Sequence, residues 1–147
     1  MKLNYIEHIG IAVKNLKEAT KYYEEVLGLK CYSVEEVPEQ QVKTAFFRIG
    51  QTKIELLEST SPDGPIGKFI EKKGEGIHHL AFSVSNIKGQ LQDASSKGIQ
   101  LIDQAPRKGA EGLDIAFIHP RSTFGVLTEL CENNSSKYMH AEGCDLY

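Results

Sequence analysis

The 147-residue sequence lacks the features that mark several classes of protein. It has no excess of positive charge, because 17 lysine and arginine residues stand against 20 aspartate and glutamate residues, for a formal charge of −3. Nucleic-acid-binding proteins generally carry a basic patch or stripe, so this balance excludes a strongly basic footprint and predicts no nucleic-acid partner. The sequence also has no Walker-type glycine loop, the specific signature of a phosphate-binding loop.

Long apolar runs and a cationic leader are missing as well. No run approaches the roughly 18 to 20 residues that a membrane-spanning helix needs. The opening residues MKLNYIEHIG do not join positive charge to a following apolar stretch, as a secretory signal would. We therefore expect a cytoplasmic protein without a membrane partner. Cys31, Cys131 and Cys144 are an odd set without Cys-x-x-Cys spacing, which predicts reduced structural thiols rather than disulfides or a sulfur-ligated zinc site.

An internal repeat is the most informative feature that is present. The segment IEHIGIAVKNL at 6–16 returns as IHHLAFSVSNI at 77–87, with His79 following His8 by 71 residues (79 − 8). A helical pattern follows each copy and stops at a glycine, Gly28 or Gly98. The composition, 40% hydrophobic and 25% charged, suits one globular domain or two small fused modules, and the repeat indicates a duplicated unit.

Each copy begins with the alternation of a strand. His8 shares a face with Ile6, Gly10 and Ala12, and the bulkier residues point the other way, where we expect helices to pack. The first helix follows the capping-box-like pair Asn15 and Glu18. Its apolar face comprises Leu16, Ala19, Tyr23, Val26 and Leu27. The second helix is predicted over about residues 87–97.

Three further strand-like runs follow each helix, at 31–37, 43–49 and 53–58 in the first copy and at 100–102, 114–118 and 126–131 in the second. The sequence therefore predicts an α+β fold of two tandem βαβββ modules that pair their sheets around a shared metal-containing cavity. The predicted domain spans 4–132, with module 1 at about 4–58, a linker at 59–75 holding a short helix at 66–73, and module 2 at about 76–132. A polar tail is predicted at 133–147.

One carboxylate lies among apolar residues in the last strand of each copy. These are Glu55 and Glu129, separated by 74 residues (129 − 55), which is close to the spacing of the histidines. A buried ionised carboxylate is unfavourable unless it is paired or binds a metal. Taken singly, each histidine is more often structural and each glutamate more often solvated. Their recurrence favours a metal site of His8, Glu55, His79 and Glu129, whose donors suit Zn²⁺, Co²⁺, Mn²⁺ or Ni²⁺.

Two other histidines have different predicted roles. His78 precedes His79, so strand alternation turns it towards the helical layer and predicts a structural or supporting role rather than direct ligation. His119 lies at a strand end before Pro120. Formation of a turn and contact with a substrate are both open for His119.

Several blocks resemble the vicinal oxygen chelate superfamily, and within it the methylmalonyl-CoA epimerases. They cover about residues 4–132 and read IEHIGIAVKNLKEATKYYEEVLGL, TKIELLEST, SPDGPIGKFIEKKGEGIHHLAFSV, PRKGAEGLDIAFIHP and GVLTELCE. The resemblance implies a glyoxalase-like fold and one divalent metal ion, Co, Zn, Mn or Ni. It also implies that the four residues identified from the repeat, His8, Glu55, His79 and Glu129, are the metal ligands. Relatives are commonly dimers, so a homodimer is one expectation.

The resemblance further implies a catalytic base at Glu39, within the element Pro-Glu-Gln-Gln-Val at 38–42. Without the resemblance, the sequence around Glu39 predicts only a solvated charge in a loop. Epimerisation removes a weakly acidic proton from the carbon between a carboxylate and a thioester, and a metal on the flanking oxygens stabilises the enolate that forms. The group that returns a proton on the opposite face is not assigned: Glu111, a metal ligand and a water are all open.

The substrate implied by the resemblance is an acyl-CoA. Its phosphates could be bound by three cationic residues in loops of the second module, Arg107, Lys108 and Arg121. Each of the three is also explained as a solvated surface charge. Two alternatives remain from the sequence. A lactoylglutathione lyase uses a similar four-ligand site on the hemithioacetal of methylglyoxal and glutathione. A drug-binding resistance module uses the same scaffold without catalysis and predicts no bound metal.

Overall fold

Eight strands and three helices form within residues 1–134, the part of the chain that the computed structural model describes. The strands are β1 (Tyr5–Ala12), β2 (Cys31–Val37), β3 (Val42–Ile49), β4 (Thr52–Ser59), β5 (Gly76–Ser83), β6 (Arg107–Lys108), β7 (Asp114–Ile118) and β8 (Thr128–Glu132). The helices are α1 (Leu16–Glu25), α2 (Pro65–Lys73) and α3 (Ile87–Ser96). Within this range, none of the helices has the length and apolar character needed to cross a membrane.

The chain divides into two compact units. The first unit is His8–His78, and the second unit joins Met1–Glu7 to the chain from His79 onward. The opening residues belong to the second unit because they hydrogen-bond there: the Asn4 N–H donates to the Ser83 carbonyl at 2.8 Å, and the N-terminal amine contacts Asp93 at 3.0 Å. The boundary between the units therefore falls inside β1.

The two units have the same strand arrangement. The order in the first unit is β2-β3-β4-β1, with β1 parallel to β4 and the other neighbours antiparallel. In the second unit it is β6-β7-β8-β5, with β5 parallel to β8 and the other neighbours antiparallel. Each unit is therefore a βαβββ module, which confirms the predicted α+β class and the duplication.

Strand alternation divides each sheet into a helix-facing side and an opposite side. In the first unit Val13, Ala45, Phe47 and Leu56 pack with Leu16 at the start of α1. In the second unit the corresponding cluster joins α3 to β7 and β8, and its buried members are Val84, Ile87, Leu91, Ala116, Ile118 and Leu130. The bulky strand residues thus face helices, as the sequence pattern predicts, and the histidines face the other way.

A glutamate at the end of the last strand ties each sheet to the start of its helix. Glu58 accepts a hydrogen bond from the Leu16 N–H at 2.6 Å. Glu132 accepts from the N–H groups of Asn86 and Ile87 at 2.8 and 2.9 Å. A negative charge at a helix N-terminus satisfies donors that have no partner inside the helix and interacts favourably with the helix dipole.

Helix α1 is shorter than its apolar pattern predicts. Asn15 caps it by accepting from the Glu18 N–H at 3.0 Å, and the helix ends at Glu25. Val26 and Leu27 lie beyond this end with 68% and 48% of their surfaces exposed, so the prediction that they extend the buried face is wrong. The spacing of apolar residues predicted a longer apolar face because it does not show where the backbone leaves the helix.

The predicted strand at 100–102 is reduced to one isolated bridge between Leu101 and Ile118. The Asp103 carboxylate accepts from the Phe117 N–H at 2.8 Å, so a side chain occupies a position that a backbone carbonyl would hold in a longer ladder. The edge strand β6 forms further along the chain, where Arg107 and Lys108 pair with β7. β8 begins at Thr128 rather than 126, because the Val126 N–H bonds back to Thr123 in a turn.

Candidate functional site

His8 and Glu55 meet on the side of the first sheet that faces away from α1. The Nδ1 atom of His8 lies 3.2 Å from Oε2 of Glu55. The two side chains come from β1 and β4, which are parallel neighbours with Gly10 opposite Glu55 in register. Both residues are buried, and the glycine leaves space beside the carboxylate because it has no side chain.

His79 and Glu129 form the equivalent pair in the second unit. The Nε2 atom of His79 lies 3.1 Å from Oε1 of Glu129. Both residues are buried, and the His79 ring meets Phe117 edge to face with centroids 5.6 Å apart. Glu129 also accepts a hydrogen bond from the Cys131 thiol at 3.2 Å. The sequence predicted only a structural role for Cys131, although strand parity already placed it on the Glu129 face.

The two pairs occupy matching positions in their sheets. Gly10 lies opposite Glu55 and Ala81 lies opposite Glu129 on the parallel strands. A phenylalanine lies opposite each glutamate on the antiparallel side, Phe46 and Phe117. A small residue on one side and an aromatic ring on the other therefore frame each carboxylate, as a duplicated module predicts.

The donor set fits a divalent metal ion. Each pair offers one imidazole nitrogen and one carboxylate, and His79 and Glu129 are among the buried groups whose donor atoms lie close enough together to hold an ion. Imidazole and carboxylate suit first-row divalent ions, and a buried carboxylate is stabilised by a cation or by hydrogen bonds.

Lys53 is a residue of this face that the sequence analysis missed. It lies two residues before Glu55 on β4, so both side chains leave the strand on the same side. Its neighbours in register are His8 on β1 and Arg48 on β3. Only 4% of its surface is exposed, which is unusual for lysine. The sequence did contain evidence that Lys53 lies on this face, because the alternation of TKIELLE puts Lys53 and Glu55 on the same side of the strand.

Glu39 lies in a 3-10 turn, Pro38–Gln40, between β2 and β3. Its side chain is exposed. The turn is held at its end by Gln41, whose backbone has φ 53°, donates to the Pro38 carbonyl at 3.1 Å and accepts from the Thr60 N–H at 2.9 Å. Glu111 occupies the equivalent turn, Ala110–Gly112, immediately before β7. The two glutamates therefore hold corresponding places in the two modules.

Comparison with known proteins adds to this geometry. Residues 7–117 match the family profile of the Glyoxalase/Bleomycin resistance protein/Dioxygenase superfamily. The chain belongs to this superfamily. Its α+β architecture is the glyoxalase-like fold of that superfamily.

Two relatives and one solved structure illustrate the range of similarity within the superfamily. The Bacillus subtilis protein YqjC, which is uncharacterised, is 49% identical over 95% of this chain and 100% of its own. The mitochondrial methylmalonyl-CoA epimerase of Mus musculus is 37% identical over 88% of this chain and 73% of its own. A methylmalonyl-CoA epimerase solved with methylmalonyl-CoA and NH₄⁺ superimposes with a TM-score of 0.88, at 34% identity, over 91% of this chain and 97% of that one. These similarities classify the protein as an enzyme of the isomerase class.

The remaining histidines of the sequence analysis are placed by the same superfamily fold. His78 packs edge to face on Phe69 of α2, with ring centroids 4.9 Å apart, which confirms that it faces a helix. His119 accepts a hydrogen bond from the Arg121 N–H at 3.0 Å and caps a short 3-10 turn, so the turn-forming role is observed. Contact between His119 and a substrate stays a prediction.

Two of the three cations proposed to meet coenzyme A phosphates form ion pairs in the structure. Arg107 contacts Asp103 at 3.1 Å, and Lys108 contacts Asp114 at 2.7 Å. The hydrogen bond from Lys108 lowers the pKa of Asp114. Arg121 is exposed. Within the described residues Cys31 and Cys131 are not joined in a disulfide, whereas Cys144 and most of the predicted tail lie outside that range.

Proposed function

We propose that this protein is a metal-dependent methylmalonyl-CoA epimerase that interconverts the 2R and 2S forms of its substrate. The observation that carries the proposal is the matched placement of His8–Glu55 and His79–Glu129, each buried and each at the same register of its module. The similarity to methylmalonyl-CoA epimerases supports the choice of substrate within the superfamily.

In this proposal His8, Glu55, His79 and Glu129 together hold one divalent ion. The two nitrogens and two carboxylates form a set in which each module contributes half. A bound divalent ion supplies positive charge that stabilises the negative charge developing on the substrate oxygens as the α-proton leaves. The preference for Co, Zn, Mn or Ni follows from the donor types.

Glu39 is the proposed base. Its carboxylate takes the proton from the carbon between the carboxylate and the thioester, and return of a proton to the opposite face inverts that carbon. The short turn of Pro38–Gln40, closed through Gln41, restricts where this carboxylate can lie. A general base of this kind typically contributes about 10²- to 10⁴-fold to the rate.

The direct test is ¹H NMR of methylmalonyl-CoA in D₂O. Protein loaded with Co²⁺ is expected to remove the α-proton signal rapidly, whereas chelator-treated protein and the Glu39→Gln variant are expected to remove it slowly. Glu36→Gln is the matched control, because Glu36 is an exposed glutamate on the adjacent strand β2 and the substitution removes the same charge.

Two results would contradict the proposal. If metal-loaded protein leaves the α-proton in place but converts the hemithioacetal of methylglyoxal and glutathione, the protein is a lactoylglutathione lyase and Glu39 is an ordinary turn residue. If neither substrate reacts and elemental analysis of the purified protein finds no bound metal, the binding-module alternative is favoured.

A further inference from the structure

A glutamine with a left-handed backbone closes the turn that carries Glu39. Gln41 has φ 53° and ψ 49°, a conformation that residues with a Cβ atom seldom adopt and that glycine adopts freely. Its N–H donates to the Pro38 carbonyl at 3.1 Å, and its carbonyl accepts from the Thr60 N–H at 2.9 Å. A glycine could form both of these backbone hydrogen bonds, so they explain the turn but not the side chain at position 41.

The Gln41 side chain lies against Gly64, the residue that precedes α2. A Cβ atom on Gly64 would lie 3.0 Å from Cβ and 3.2 Å from Oε1 of Gln41, and both distances are shorter than an ordinary packing contact. Gly64 is buried, and its φ of −73° and ψ of 165° suit any residue. Position 64 therefore requires glycine for lack of space and not for its backbone, and Gln41 occupies that space.

The segment under Gln41 is closely packed. The Gly64 N–H donates to the Ser61 carbonyl at 3.0 Å. A Cβ atom on Gly67, in the first turn of α2, would lie 2.8 Å from the carbonyl oxygens of Ser61 and Pro62. The segment therefore rests directly on the helix, and it gives Gln41 a fixed surface to pack on.

The equivalent turn of the second module has no such contact. Glu111 is followed by Gly112, whose φ of 72° is also left-handed. A Cβ atom on Gly112 would have no heavy atom within 4 Å beyond its chain neighbours. A turn at this place can therefore close on glycine with no side chain packed beneath it. The glutamine occurs only in the module that holds the proposed base, although its backbone conformation is unfavourable there.

We infer that Gln41, packed on Gly64, is a positioning residue that fixes where the Glu39 carboxylate lies during proton transfer. This inference rests on the proposed function, because Glu39 is the base in that function. Thr60 and Gly64 belong to the chain that continues from β4, the strand of the proposed ligand Glu55. The two contacts thus tie the turn of the base to that strand. Displacement of a reacting group by about 1 Å can lower a rate by about 10²-fold.

The test asks whether loss of the Gln41 side chain matters only when Glu39 is present. Gln41→Gly removes the side chain but keeps the turn, because glycine suits this backbone conformation. The rate of α-proton exchange from methylmalonyl-CoA in D₂O is measured by ¹H NMR at saturating Co²⁺ for Gln41→Gly, Glu39→Gln and the double variant. Gln51→Gly is the matched control, because Gln51 is an exposed glutamine in the turn between β3 and β4 of the same unit.

We expect Gln41→Gly to lower kcat by about 10- to 100-fold, while KM and the affinity for Co²⁺ change by less than about twofold. In the Glu39→Gln background the same substitution should lower kcat by less than about twofold, because residues that act through one step are not additive. The unfolding temperature of Gln41→Gly should not fall. Gln41→Met, which keeps a side chain of similar length over Gly64, should retain the rate within about threefold.

Filling the space at Gly64 is the converse experiment. Gly64→Ala should also lower kcat, because its methyl group displaces Gln41, and it should add less than about twofold to the loss in Gln41→Gly. Thermal unfolding establishes that each variant is folded, and the Gln41 variants decide alone if Gly64→Ala does not fold.

Equal losses from Gln41→Gly with and without Glu39 would overturn the inference, as would an unchanged rate in Gln41→Gly. A wild-type protein that leaves the α-proton in place, or an unchanged rate in Glu39→Gln, would instead contradict the proposed function itself.

Discussion

The two modules carry the same pair of side chains in the same register but surround it differently. In the first, Glu55 has Lys53 as its near neighbour on the strand and His8 at 3.2 Å. In the second, Glu129 accepts from the Cys131 thiol at 3.2 Å and has His79 at 3.1 Å. The duplicated sheet thus preserves the histidine and the glutamate of each pair, whereas the positions two residues away along the last strand differ.

This difference separates residues that both modules need for their structure from residues that are found in one module only. The small residue, the phenylalanine and the helix-capping glutamate recur in both modules, so they serve the architecture. The buried lysine and the Pro-Glu-Gln-Gln-Val turn occur in the first module alone. The proposed base, Glu39, therefore lies in the first module, whereas the proposed metal ligands are divided between the two modules.

Replacing one ligand in each module gives the largest expected effect and tests whether the pairs act together. If they share one ion, His8→Ala and His79→Ala should each lower metal affinity by more than about 100-fold, since loss of a group that only supports a ligand already costs about 10- to 100-fold. Metal content and affinity are measured by elemental analysis and calorimetry, with His78→Ala as the control. Retention of half the metal by either variant would mean that each module binds its own ion.

The equivalent turns before β3 and β7 offer the second comparison. Glu39→Gln should lower kcat by about 10²- to 10⁴-fold, whereas Glu111→Gln should lower it by less than about tenfold, because the proposed function assigns the base to Glu39. The measurement is the rate of α-proton exchange from each epimer separately. A loss at Glu111 that is confined to one epimer would identify the second module as the source of the second acid.

The helix-capping glutamates differ in the number of N–H groups that they bind. Glu132→Ala should reduce the free energy of unfolding by about 1–2 kcal/mol and Glu58→Ala by about 1 kcal/mol, because Glu132 accepts two hydrogen bonds and Glu58 accepts one. Urea denaturation at neutral pH gives both values. The Gln variants, which keep an acceptor oxygen, should lose less, and an equal loss at both positions would contradict the dependence on bond number.

The smallest expected effect concerns Asp114, which the second module holds against Lys108. The hydrogen bond from Lys108 lowers the pKa of Asp114 in the folded protein. The pair therefore stabilises the fold above the usual carboxyl pKa, and this contribution is lost as the pH falls through the lowered value. Asp114→Asn should cost about 0.5 kcal/mol or less at pH 7, because the pair is partly solvated. Unfolding measured down to pH 3 should show the difference from wild type shrinking; a constant difference would exclude the ion pair as its cause.

Much of the molecule could be predicted from local patterns in the sequence. Period-two alternation placed β2 and β7 and turned His8 and His79 away from the helices, and Gly98 marks the end of α3 with its left-handed φ of 82°. The end of α1 was predicted wrongly because an apolar periodicity does not show where the backbone leaves the helix. The strand predicted at 100–102 is one isolated bridge instead, because the Asp103 side chain bonds to the Phe117 N–H of β7. Lys53 was overlooked because lysine in a strand is ordinarily exposed.

The sequence by itself determined the duplication, the alternation of the strands and the residue types of the two histidine–glutamate pairs, because these are expressed in spacing along one chain. Only the tertiary structure decided that His8 contacts Glu55 and His79 contacts Glu129, that the first residues join the second unit, and that Lys53 is buried on the strand face that carries Glu55. Those outcomes depend on which strands pair and in what register, and pairing brings together residues that are far apart in the sequence.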